Sequence, residues 1–72
     1  MFKNLKAELV RAEISNDDIV KKLNISRQAL ANKKNGKTEW KLSEVDALQK
    51  MINEKLNTDY TISYLFDVKG NW

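Results

Sequence analysis

Apolar residues along this chain fall into five helical frames separated by short polar breaks. Phe2, Leu5, Leu9 and Ala12 recur at three- and four-residue spacing, predicting an amphipathic helix from Phe2 to about Glu13. "ISNDDI" opens a second helix: Ser15 is the N-cap and Asp18 closes a capping box. Ile14 and Ile19 form a hydrophobic staple, with Ile19, Val20 and Leu23 facing inward. This helix stops near Asn24, a residue that tolerates left-handed backbone. "ISRQAL" repeats the frame, with Ser26 as cap and Ile25–Leu30 as staple, and predicts a third helix over 27–34. It ends at "NG", where Gly36 can take a positive φ. "LSEVD" opens a fourth helix with Ser43 as cap and Asp46 three residues on. Its apolar stripe is Val45, Leu48, Ile52 and Leu56. "NTD" breaks it, and "YTISYLF" starts a short fifth helix capped by Thr61. The last residue of this frame is followed by the tail "DVKGNW".

The two repeated starts differ in charge. Asp17 and Asp18 occupy the first turn of the second helix, where the helix dipole favours anions. Arg27 occupies the first position of the third, where the dipole disfavours a cation. The Asp17–Asp18 pair could suggest acid–base or metal chemistry, but helix-start electrostatics accounts for both residues.

Seventy-two residues predict one domain spanning 1–72, able to bury roughly 60% of its unfolded surface. With no Cys and no His, disulfides are excluded and the usual zinc ligands are missing. A Cys-free chain fits a reducing cytosol. No run approaches the roughly 20 apolar residues of a membrane span. "MFKNLKAELVRAEI" carries charge in every turn, unlike a signal peptide. An enzyme is disfavoured: there is no Gly-rich phosphate loop, and Ser15, Ser26 and Ser43 sit at helix caps. Ser63 lies in the last short helix without a base beside it in sequence. No cofactor, metal or small-molecule ligand is implied.

Net charge is +3, unevenly spread. Residues 26–41 carry +4, from Arg27, Lys33, Lys34, Lys37 and Lys41 against Glu39, whereas 42–72 carry −2. Such a basic segment is either a polyanion-binding face or an ordinary solvated surface. Projected at 100° per residue, the third helix places Arg27, Gln28, Ala31 and Asn32 on one side. Ala29, Leu30 and Lys33 lie on the other. The outward set has no acid of its own. It suits DNA base edges, since Arg can pair with guanine O6 and N7 and Gln or Asn with adenine N6 and N7. The same residues would also make an ordinary polar surface. Lys34, Lys37 and Lys41 flank the set and are placed to meet phosphates. About two residues separate the second helix's last core position from the next cap, which demands a steep crossing.

"NDDIVKKLNISRQALANKKNG", residues 16–36, resembles the helix-turn-helix of the phage repressor and Cro-like (Xre) family. Ile19, Leu23, Ile25, Ser26 and Leu30 match in register, and Asn35–Gly36 closes the second helix of the motif. The leading helix, the later "LSE" helix and the closing "YTISYLF" agree with the same layout. The resemblance implies an all-α, five-helix lambda-repressor-like DNA-binding domain. Its function would be sequence-specific double-stranded DNA binding by a small transcriptional regulator of phage or mobile-element type. That would place it in the cytoplasm of a bacterial or phage-infected cell. Arg27 and Gln28 fall at the family's base-reading positions, with Ala31 and Asn32 continuing the face. Asn16 falls where members hold a phosphate, and Ser26 can cap and also reach one.

Four residues depart from the pattern. Val20 stands where a small residue is usual, and Asn24 where Gly is. Lys33 and Lys34 fall where members often hold an apolar residue, and Lys33 is on the inward side. Its stem is expected to cross the core edge, with the ammonium reaching solvent or phosphate. Family members gain affinity by dimerising on half-sites about one helical turn apart. Candidate dimer contacts are Leu65, Phe66 and Trp72; the alternative is that Leu65 and Phe66 close the core and Trp72 frays. A second function class is a protein-interaction module on the same scaffold, such as an antirepressor, antitoxin or phage accessory factor, with Trp40 and the third helix in contact.

Overall fold

A computed structural model describes residues 2–66. Its five helices are α1 (Lys3–Arg11), α2 (Asn16–Leu23), α3 (Arg27–Lys34), α4 (Leu42–Leu56) and α5 (Ile62–Leu65). The chain is all-helical over the described residues. α1 packs on α4 and α5, α2 on α3 and α4, and α4 on α5. The backbone of α3 comes close to that of α2 alone among the helices. The core is built from Leu5, Leu9, Ala12, Ile14, Ile19, Leu30, Val45, Leu48, Ile52, Leu65 and Phe66. The predicted stripes of the first four helices all contribute to it.

The helix starts follow local chemistry. Ser15 Oγ accepts the Asp18 N–H at 3.2 Å, and Asp18 Oδ2 accepts the Ser15 N–H at 3.1 Å. These bonds hold the Asp18 carboxyl below its ordinary range. Ser26 Oγ accepts the Ala29 N–H at 3.0 Å, and Thr61 Oγ1 the Tyr64 N–H at 3.1 Å. α4 begins two positions earlier than the sequence pattern predicts. Its cap is Lys41, whose N–H donates to Glu44 Oε1 at 2.8 Å. Ser43 therefore lies inside the first turn. Asp46 instead pairs with Lys50 at 3.1 Å, one turn along an exposed face.

The first four helices share one way of stopping. Glu13, Asn24, Gly36 and Asn57 all have positive φ, between 54° and 80°. After each, the next N–H turns back to a carbonyl five residues earlier: Ile14 to Leu9, Ile25 to Val20, Lys37 to Asn32, and Thr58 to Asn53. This closure satisfies carbonyls that the helix end would leave bare. Asn and Gly accept the conformation readily. Glu13 does not, so α1 ends at Arg11, short of the predicted Glu13, with left-handed strain offset by burying Ile14 beside Leu9.

Leu65 and Phe66 are 0% and 4% exposed. The Phe66 ring lies edge-on to Trp40 at 5.4 Å and to Phe2 at 6.1 Å. These two side chains close the core, the alternative that the sequence left beside a dimer contact. Trp72 lies outside the described residues. One core position is unexpectedly acidic: Glu8, 2% exposed, accepts from the Tyr64 hydroxyl at 2.8 Å and faces Arg11 Nε at 3.3 Å.

Candidate nucleic-acid interface

Helix α3 starts with Arg27, Gln28 and Ala31 exposed and Asn32 half-buried. They lie on the side away from Leu30, which is buried in the core. Gln28 Nε2 donates to Asn32 Oδ1 at 3.1 Å, one turn on, so the two carboxamides already hold each other on one face. Ser26 is exposed, and its oxygen is occupied as the α3 cap.

An acid enters this face from a neighbouring helix. Arg27 Nη2 donates to Asp17 Oδ1 in the first turn of α2. The projection of α3 alone could not show Asp17; the available signal was the matched pair of helix starts, one acidic and one basic. At the other end of α3, Lys34 Nζ donates to Asn16 Oδ1 at 3.1 Å. The two ends of α3 thus both tie to the first turn of α2. Partial burial, then repulsion from Lys6 on α1, pushes the Lys34 ammonium pKa down.

Lys37 and Lys41 are exposed side chains on well-anchored backbone. The Lys37 N–H donates to Asn32 O at 2.8 Å, and the Lys41 N–H to Glu44. Gly36, at φ 80°, makes the turn between α3 and this loop. Lys33 leaves the surface set altogether. Its ammonium lies 2.9 Å from Glu44 Oε1 and 3.1 Å from the Glu39 carbonyl oxygen. The expectation that its tip reaches solvent or phosphate is overturned, because the buried Glu44 carboxylate and the Glu39 carbonyl hold it inside. Burial opposes ionisation of Glu44, but the Lys41 N–H and the Lys33 ammonium outweigh it and keep the carboxyl below its ordinary range.

Outside this face, Ile14, Asp18, Lys21, Lys22, Met51, Glu54 and Lys55 line an open groove of about 740 Å³ between α2 and α4. Its acids and lysines balance closely, and none of the candidate residues on α3 lines it. Among the described residues no group of three or more Asp, Glu, His or Cys could hold a metal ion. No helix there is long and apolar enough to cross a membrane. What the α3 face offers chemically is donors: a guanidinium, two carboxamides and flanking ammonium groups.

No family model matches the chain, and neither the curated proteins nor the solved structures contain one found similar to it.

Proposed function

We propose that this chain is a lambda-repressor-like helix-turn-helix domain that binds double-stranded DNA sequence-specifically. In that reading α2 and α3 form the motif, and α3 enters the major groove as the recognition helix of a small transcriptional regulator, a repressor of phage or mobile-element type. The observation that carries the reading is the outer face of α3. Arg27, Gln28 and Ala31 are exposed beside Asn32, the helix backbone is backed by α2 alone, and Lys34, Lys37 and Lys41 flank it. The three-residue connection 24–26, with Asn24 left-handed, supports a sharp turn between the two helices.

The steps follow from the donors. Lys37 and Lys41 meet phosphates and release counterions, supplying affinity without sequence preference. Arg27 leaves Asp17; an exposed pair of this kind holds by only about 0–1 kcal/mol, so a guanine can displace it. Arg27 then donates two bonds to guanine O6 and N7. Gln28 and Asn32 exchange their mutual bond for adenine N6 and N7. Ala31 adds no bulk, so the helix backbone can approach the groove floor.

The alternative, a protein-interaction module, needs Trp40 and the α3 face to form one protein contact. Trp40 is packed edge-on against Phe2 and Phe66, which leaves that contact little to offer. The test is binding-site selection from random duplex DNA at two salt concentrations. A defined motif, with affinity falling steeply as salt rises, supports the DNA reading. Recovery of unselected sequence, or binding indifferent to salt, overturns it.

A further inference from the structure

The buried Lys33–Glu44 pair has a place in the fold that its stability value does not explain. The side chains are 10% and 8% exposed. An ion pair buried this way adds little over apolar residues of similar size. It ties the last turn of α3, the loop that follows and the first turn of α4 to one another. The α3 backbone approaches no helix but α2, so the link from its last turn to α4 runs through side chains. One oxygen, Glu44 Oε1, receives both the Lys33 ammonium and the Lys41 N–H. Lys33 also donates to the Glu39 carbonyl, midway along the loop, and sits 6.0 Å from the Trp40 ring centroid. The other end of the loop is clamped by Asn32 O, which accepts from Lys37 and Thr38. Residues 37–41 are thus held at both ends against α3.

We propose that Lys33 and Glu44 are positioning residues: together they set where Lys37 and Lys41 stand relative to the outer face of α3. The proposal rests on the DNA-binding reading, because only there does the spacing between base-reading helix and phosphate-contacting loop matter. The geometry turns two separate features, a helix that reads and a loop that holds, into one rigid unit. A purely structural pair would stabilise the fold and leave that spacing unaffected.

The experiment has two arms, both on the full chain. In the first, amide hydrogen exchange is followed by NMR without DNA. Lys33→Met should speed exchange of the Lys41 amide about tenfold while amides inside α2 and α4 keep their rates. In the second, Lys37→Ala is made in the parent and in the Lys33→Met background, and duplex affinity is measured against salt. In the parent it should lower the salt slope by about one. In Lys33→Met it should leave the slope nearly unchanged, because the loop no longer holds its ammonium at the phosphate. The double variant Lys33→Met, Glu44→Met, which removes both charges and the acceptor of the Lys41 N–H, carries the same cycle if Lys33→Met does not fold. Unchanged Lys41 exchange, or an equal Lys37 effect in both backgrounds, overturns the proposal. A parent chain with no salt-dependent duplex binding overturns the DNA reading and the positioning role with it. The exchange arm then separates that outcome from absence of the latch itself.

Discussion

Arg27 at the first position of α3 donates its guanidinium to Asp17 in the first turn of α2. The cation that the α3 dipole disfavours is therefore met by an anion that the α2 dipole favours. The charge pattern of the two repeated helix starts is complementary across the junction. In the free protein the pair partly cancels the unfavourable placement of Arg27. In the proposed complex it has to open.

Removing the acid tests that opening. The two side chains are 72% and 56% exposed, so Asp17→Asn should change stability by no more than about 1 kcal/mol. Duplex affinity should rise, since Arg27 is released and one negative charge leaves the phosphate side. Thermal melting and a duplex titration measure the two effects. A weaker complex would show that Asp17 braces Arg27 for binding instead of competing with the DNA.

Arg27 and Lys37 should differ in kind. Arg27→Ala should cost about 1–3 kcal/mol on the selected site and relax preference at one base pair. Lys37→Ala should weaken every duplex alike. Titrating both variants against selected and scrambled duplexes distinguishes them. If they lose affinity in the same pattern, α3 is not reading bases.

Stability of the buried pair should be asymmetric. Lys33→Ala leaves the Glu44 carboxylate short of a partner and should cost about 1–3 kcal/mol. Replacing both residues by Met removes both charges together and should cost less than the single change. Urea unfolding of the single and double variants checks this. Equal losses would mean that Lys33 contributes through packing of its stem.

Acid should loosen the molecule through two carboxylates. Asp18 and Glu44 both sit below their ordinary values of 3.8 and 4.5 in the folded chain. A carboxyl depressed by folding contributes stability that is present above its unfolded value and lost as pH falls through the folded one. Melting temperature should therefore stay level as pH falls to about 5 and drop below about 4.5. Glu44→Gln should flatten part of that drop. A melting temperature constant from pH 6 to 3 would contradict the assigned bonds.

Much of the fold is legible along the chain because caps and stops are bonds between residues three to five apart. Ser15–Asp18 and Ser26–Ala29 place the starts of α2 and α3 at the predicted residues. Asn24 and Gly36 take the positive φ their chemistry allows. The periodic stripe marks the core for the same reason, since one face of a helix is a local property. The exposed positions of Arg27, Gln28 and Ala31 follow directly from it.

The other misplacements involve partners outside the local helical turn. Two overlapping frames, Lys41–Glu44 and Ser43–Asp46, offer similar starts for α4; burial of Glu44 against Lys33 settles on the first. Glu8 lies on a buried stripe, where its carboxylate accepts a hydrogen bond from the Tyr64 hydroxyl, 56 residues away. Leu65 and Phe66 suit a core or a second chain in sequence, and in the fold Trp40 and Phe2 close around Phe66. Lys33 is basic by composition, yet the Glu44 carboxylate and the Glu39 backbone carbonyl draw it inward, out of the charge the α3 face can present. Chain-local hydrogen bonds and periodicity decide where helices run and which side they bury. Whether a charged group on that side is a ligand contact or an interior strut depends on which counter-charge packing brings within about 3 Å, and that is set by the arrangement of helices in space.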